Sequence, residues 1–271
     1  MPSLTRRVAS PIVTAVLGLS IVGPASAAGL AAFDGPTLAQ ARTDLATLVN
    51  AQRVSHGLIA LQLDPSAAAL AGDRADAIAS MDALSHTGPD GRTVFDAIRA
   101  SGMTWFGAAE VIAFNTYPDE PSSTGQAVAD WLASPSHASI VLSGDYNYVG
   151  FGAAVSATGN RYYDGVFLKL PDRTAGWART GTTTASAVDS THTRVVVRWS
   201  GADTRLQVLT AGLRDFEVQR RLAGGVWQAA GTTTHTSLAF TLLRGKAYEF
   251  RIRACDNAGN RSSWSLVTVR T

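Results

Sequence analysis

Only one cysteine, Cys255, occurs in the 271 residues, so the chain cannot close a disulfide on itself. Charged residues make up just 16%, which leaves stability to the burial of apolar surface. There is no Gly-x-Ser-x-Gly elbow, phosphate-binding loop, His-Glu-x-x-His helix or paired-cysteine motif. The familiar signatures of serine hydrolases, nucleotidases, zinc proteases and thiol redox proteins are therefore missing. Beyond residue 23, no apolar run approaches the roughly 20 residues that a membrane-spanning helix needs.

What is present begins with an export pattern. Arg6 and Arg7 precede an apolar stretch from Pro11 to Gly23, and Ala25-Ser26-Ala27 follows as a small-x-small cleavage site. That order reads as a secretory signal peptide over residues 1–27. No cysteine near the cleavage site offers a lipid anchor. An exported chain without disulfides suggests a bacterial envelope protein, secreted and associated with the cell wall. Export also argues against nucleic acid as a partner.

The near-zero net charge conceals two opposite halves. Residues 28–172 carry a balance of −8 and residues 173–271 a balance of +8. Such asymmetry bears on association rather than fold. Either the two parts attract each other, or the basic part holds an anionic polymer of the cell wall.

Periodicity divides the mature chain in two. Leu38, Ala41, Leu45 and Leu48 recur at helical spacing over Thr37–Ser55. Asp64-Pro65 opens a second, Ala-rich helix running to about Leu84. A short helix over Val94–Ala100, a strand over Ala108–Phe114 and a helix over Gly125–Ala133 follow, with a helical restart at Pro135. Tyr148–Val155 and Tyr162–Leu170 read as an antiparallel hairpin. This mix predicts an α+β layered domain over residues 36–171.

Residues 172–187 are rich in Thr, Ala, Gly and Ser and read as a linker. Over residues 188–271 the period becomes two. Val195, Val197 and Trp199 alternate with Arg194 and Arg198; Tyr248, Phe250, Ile252 and Ala254 alternate with Glu249, Arg251, Arg253 and Cys255. Several such strands separated by turns predict an all-β sandwich. Trp199 belongs in its core, and Trp227 and Trp264 are candidates for exposed aromatics. Arg251 and Arg253 share an outward face and are candidates for anion binding. Parity places Cys255 on that face, where it would be open to reaction or to an intermolecular bond.

Of five histidines, His86 and His137 have suggestive settings, and Glu110 heads an otherwise apolar strand between them. A buried carboxylate is costly unless paired or hydrogen-bonded. Two imidazoles and a carboxylate suit zinc with one position open. They equally suit a base with its orienting partner, or three unrelated side chains satisfied by their neighbours. Spacing alone leaves these open.

Leu48-Val49-Asn50-Ala51-Gln52-Arg53, Gly57-Leu58 and Leu63-Asp64, with Ser85-His86-Thr87 and Pro89-Asp90-Gly91, resemble the opening and first histidine motif of the CAP superfamily, bacterial SCP-like branch. Trp131, Ser134-Pro135-Ser136-His137, Val149-Gly150-Phe151-Gly152 and Tyr162-Tyr163 to Phe167-Leu168 resemble its second histidine block and closing strands. The resemblance covers about residues 40–170 and implies an α-β-α sandwich. Its central cleft would hold His86, Glu110 and His137 around a divalent metal such as zinc, with Trp131 and Ser134 lining it. Two departures stand out: Val111 replaces the usual Asn after the strand glutamate, and a second cleft glutamate is replaced near Ser134. Residues 188–271 resemble a fibronectin type III module. The resemblance implies a non-catalytic binding protein for metal, lipid or cell-wall polymer. A metal-assisted hydrolase of an envelope component and a purely structural adhesion protein are the alternatives.

Overall fold

The computed structural model describes residues 35–271; the export pattern at 1–27 lies outside them. Helix α1 (Gly35–Ser55) is followed by the two-residue strand β1 (Gln62–Leu63) and helix α2 (Pro65–Met81). Asp64 caps α2, accepting the Ser66 and Ala67 N–H groups at 2.9 Å each, and Pro65 stands where no N–H is required. Then come α3 (Val94–Ala100), β2 (Gly107–Asn115), α4 (Glu120–Ala133), α5 (Pro135–Val141), β3 (Tyr148–Val155) and β4 (Arg161–Lys169). The strand order is β1-β3-β4-β2, with β3–β4 and β4–β2 antiparallel and β1 parallel to β3.

Alternation along these strands sends side chains into two layers. Val149, Phe151, Ala153, Tyr163, Phe167, Val111 and Ala113 pack with Ala41, Leu45 and Val49 of α1 and Ala127, Val128 and Trp131 of α4. The opposite face meets α2. There the helix rests directly on the sheet: a Cβ at Gly152 would lie 1.9 Å from the Ala71 carbonyl oxygen, and one at Gly150 would lie 2.1 Å from the Ala67 backbone. Only glycine permits that approach. The result is helices on both faces of a mixed sheet.

Asn50 and Arg53 of α1 prove to be fasteners. Asn50 exchanges hydrogen bonds with both the N–H and C=O of Leu61. Arg53 is fully buried and donates to the carbonyls of Val141 and Ser143 at 2.7 and 2.8 Å. It thereby satisfies carbonyls at the end of α5, and burial lowers its pKa to about 10.

Residues 172–187 are not a spacer. They contain strands β5 (Trp177–Thr180) and β6 (Thr184–Ala187), both antiparallel to β7 (His192–Ala202). They are only four residues long each, and neither buries a residue: β5 alternates exposed with half-buried positions and β6 is exposed throughout. Strands β8 (Leu213–Leu222), β9 (Gln228–Thr233), β10 (Ser237–Leu243), β11 (Ala247–Asp256) and β12 (Ser265–Arg270) complete two antiparallel sheets. Their facing residues form one core: Val195, Val197, Trp199 and Leu242 against Phe216, Val218, Phe250, Ile252 and Val269.

The described residues form one compact unit, and the β domain is keyed into the first domain. Leu206 is buried with Val94, Ile98, Leu168 and Leu170. Gln207 accepts the Ile59 N–H at 2.7 Å, Asn147 donates to the Val208 carbonyl at 3.1 Å, and Arg173 pairs with Asp64 at 3.1 Å. Among the described residues, no helix is long and apolar enough to cross a membrane.

Candidate functional site

Glu110 sits on the edge strand β2, on the face that meets α2. Its carboxylate is almost completely buried and both oxygens are engaged. Oε1 accepts from Arg74 Nε at 2.8 Å, and Oε2 lies 2.5 Å from His86 Nδ1. Arg74 comes from α2 and also donates to the Ser85 carbonyl at 3.1 Å, fixing the segment that carries His86. Burial acts to raise the Glu110 pKa, but hydrogen bonds from His86 and Arg74 and the Arg74 charge outweigh it, so the carboxyl is held below its ordinary value.

With Nδ1 donating to the carboxylate, His86 turns its Nε2 away from the protein interior; its side chain is 55% exposed. His137 approaches from α5 on the other side of the sheet edge. The two ring centroids are 6.4 Å apart and the rings are tilted by 47°. Burial, and then the neighbouring His86, lower the His137 pKa, which favours a neutral imidazole with a free lone pair.

The fold thus brings His86, Glu110 and His137 together as a chain of neighbours. Among the described residues their ligand atoms do not all gather within 4.8 Å. Glu110 contacts His86, and His86 faces His137. A divalent ion placed here would meet the two imidazoles, with Glu110 behind one of them. Glu110 as a third ligand would require release from Arg74 or His86.

Of the two residues expected to line the cleft, Trp131 is in the core. Trp131 is fully buried, stacked on Phe151 at 6.1 Å within the core beneath α4. Its bulk and helical phase point it at the sheet, so it supports the wall rather than lining it. Ser134 precedes α5, with its Oγ 3.1 Å from Ser136 Oγ. Val111, at the position of the expected Asn, points into the α1–α4 core.

Sequence reasoning missed two members of the cluster. Arg74 is a lone cation on the apolar side of α2, among Ala67, Ala71, Ala75 and Ile78. Asp164 interrupts the apolar run of β4, diagonal to Glu110 across the β2–β4 register. It is fully buried, and neither oxygen has a partner at hydrogen-bond geometry. Burial first, then the adjacent Glu110 charge, drive its carboxyl well above the ordinary value. The available signal was a charged residue at a position where parity demands an apolar one.

A second group of acids gathers where the domains meet. Asp172, Asp203 and Asp256 bring ligand atoms within 4.8 Å of one another. Their oxygens accept from Thr174, Ala211, Thr204, Gly212 and Asn260, so they tie together the loops that seat the β domain.

On the β domain, the guanidinium groups of Arg251 and Arg253 are each engaged by a neighbouring side chain. Arg251 donates twice to Gln219 and Arg253 twice to Glu217. Both stack on Trp264, at 4.5 and 4.4 Å, and Arg251 and Arg221 stack on Trp227, at 4.4 and 4.3 Å. The expected anion stripe is instead an arginine–tryptophan ladder. Cys255 is also not open to reaction. A bridge to Arg261 folds the following turn over it, leaving it buried, with Sγ 3.4 Å from Glu217 Oε1. Burial and Glu217 raise its thiol pKa.

Comparison with known proteins accounts for the first domain. The model of CAP, the cysteine-rich secretory protein family, matches residues 46–168. The match supports a CAP domain over these residues. The uncharacterized membrane protein YlbC of Bacillus subtilis (strain 168) is 30% identical over 122 residues, 45% of this chain and 32% of that one. The chain thus spans about a third of the length of that curated relative. An outer surface protein from Borrelia burgdorferi is similar with 20% identity and a TM-score of 0.42, over 47% of this chain and 91% of that one. An extracellular protein containing an SCP domain from Bacillus anthracis is similar with 22% identity and a TM-score of 0.42, over 51% of this chain and 44% of that one.

Proposed function

We propose that this chain is an exported, non-catalytic binding protein of the bacterial envelope, whose CAP domain takes a divalent metal ion between His86 and His137. The β domain, a fibronectin type III-like module, holds the CAP domain in a fixed orientation. The observation that carries this reading is the 2.5 Å contact of His86 Nδ1 with buried Glu110. A carboxylate behind an imidazole fixes the tautomer, orients the ring and raises its basicity as a ligand. Two imidazoles suit a borderline ion such as zinc, which when bound would supply a Lewis-acidic centre with positions left for a small ligand. Glu110 is poorly placed to act as a general base, because Arg74 and His86 hold it ionised and occupied.

Zinc titration of the exported chain by calorimetry tests the site. We expect stoichiometric binding that is abolished in His86→Ala and His137→Ala and weakened about 10- to 100-fold in Glu110→Gln. Equal zinc uptake by the wild type and the His86→Ala/His137→Ala double variant would overturn the assignment.

A further inference from the structure

The end of the β domain that faces away from the CAP domain has its own character. Strand β11 runs from that end, at Ala247, to the domain junction, at Asp256. Ten residues at about 3.3 Å each separate the two ends by about 30 Å. Four chain segments meet at the far end: Ala223 donates to the Ala247 carbonyl, Arg244 to that of Thr191, and Gly245 to that of Thr271.

These turns expose apolar side chains that the cores leave out. Val226 is 85% exposed at the tip of the β8–β9 hairpin, with Val188, Leu222 and Leu243 each more than half exposed around it. The same turns carry Arg244, Lys246 and Arg270, all exposed and, among the described residues, without an ion-pair partner. The acids at this end are already satisfied: Glu249 pairs with Arg221, and Asp189 accepts from Thr191 and His192. Between the hairpin and β10 lies a cavity of about 370 Å³ lined by His192, Arg220, Leu222, Val226 and Leu243.

We propose that this end docks on an anionic phospholipid surface, with Val226 and Leu243 entering the interface and Arg244, Lys246 and Arg270 meeting the headgroups. Both halves of the pattern are needed. Basic residues near an anionic bilayer are attracted by its surface potential, and protruding apolar groups gain by leaving water at the headgroup boundary. A soluble polyanion would use the charges and leave Val226 and Leu243 in water. The basic balance of residues 173–271 provides the same sign of attraction over the whole domain. The His86–His137 pair lies on the other domain and takes no part in this contact.

Co-sedimentation of the exported chain with vesicles tests it. We expect pelleting with vesicles containing phosphatidylglycerol, little with pure phosphatidylcholine, and release at high salt. The Arg244→Glu/Lys246→Glu variant should bind at least about ten-fold more weakly, and Val226→Ser/Leu243→Ser should also bind more weakly. These are exposed turn positions, so both variants should keep the wild-type melting temperature. His86→Ala/His137→Ala should pellet like the wild type, which separates this surface from the metal site. No pelleting with phosphatidylglycerol, or pelleting unchanged in both surface variants, would overturn the proposal. So would equal binding of soluble poly(glycerol phosphate) that ignores Val226→Ser/Leu243→Ser.

Discussion

Two glutamates on opposite faces of the CAP sheet have nearly the same surroundings and different fates. Glu110 lies under α2 with Arg74, and Glu120, at the start of α4, lies on the other face with Arg161 and Tyr163. Both are 6% exposed. Glu120 is sealed: Arg161 pairs with it and also donates to the carbonyls of Tyr117 and Pro118, and Tyr163 donates at 2.9 Å. Burial prevails over these partners and raises its pKa. Glu110 instead has its second oxygen on a half-exposed histidine, and its pKa is lowered. A buried Glu–Arg pair is thus no functional mark by itself. The mark is the route from the pair to solvent, here the His86 ring.

The contrast can be broken most forcefully from the sealed side. Glu120→Ala should cost about 3–5 kcal/mol of unfolding free energy in urea melts, since it removes the carboxylate of a buried ion pair, while zinc binding at His86 and His137 stays intact. A small loss would mean that water reaches Arg161. Arg74→Ala should cost less, about 2–3 kcal/mol, because Glu110 keeps His86 as a partner. It should also weaken zinc binding, since it frees the segment at Ser85 that carries His86. Unchanged affinity would detach α2 from the site.

The pH dependence of stability should have opposite signs for the two acids. In chelator-treated protein, Glu110 contributes stability above its ordinary value of 4.5, and this is lost as pH falls through its lowered folded pKa. Glu120 costs stability as pH rises above 4.5 through its raised folded pKa. Glu110→Gln should therefore flatten the urea midpoint below about pH 4.5, and Glu120→Gln should flatten it just above. Identical profiles for the two variants would remove the distinction. The smallest effect belongs to Asp164→Asn, which is nearly isosteric with a protonated carboxyl, the form that burial favours. It should change stability at pH 7 by about 1 kcal/mol or less. A loss as large as that of Glu120→Ala would show that Asp164 is ionised.

Most of the secondary structure is legible in the sequence because it obeys local rules. Asp64-Pro65 starts α2 where the cap chemistry requires, Val94–Ala100 is helical as its pattern predicts, and Tyr148–Val155 pairs with β4 as the alternation implies. Helix α4 starts five residues before the predicted Gly125, because Glu120-Pro121-Ser122-Ser123-Thr124 is polar and shows no apolar period, and its start is marked only by the Asp119 cap. Strands β5 and β6 escape prediction because four exposed or half-buried residues each carry no apolar period. Trp131 does not line the cleft as expected, because helical phase turns it inward.

At the site, His86, Glu110 and His137 could be picked out as residue types, and the family resemblance placed them in one cleft. Sequence alone determined which apolar faces of the helices and of the longer strands are buried, since those faces follow the periods of 3.6 and 2 that are written in the order of residues. Only the tertiary structure decided that Arg74 and Asp164 join Glu110, that Arg251 and Arg253 are engaged by Gln219 and Glu217, and that Cys255 is covered. Charge pairing is settled by atoms a few ångströms apart in space and dozens of residues apart in sequence, and no local pattern records which partner arrives first.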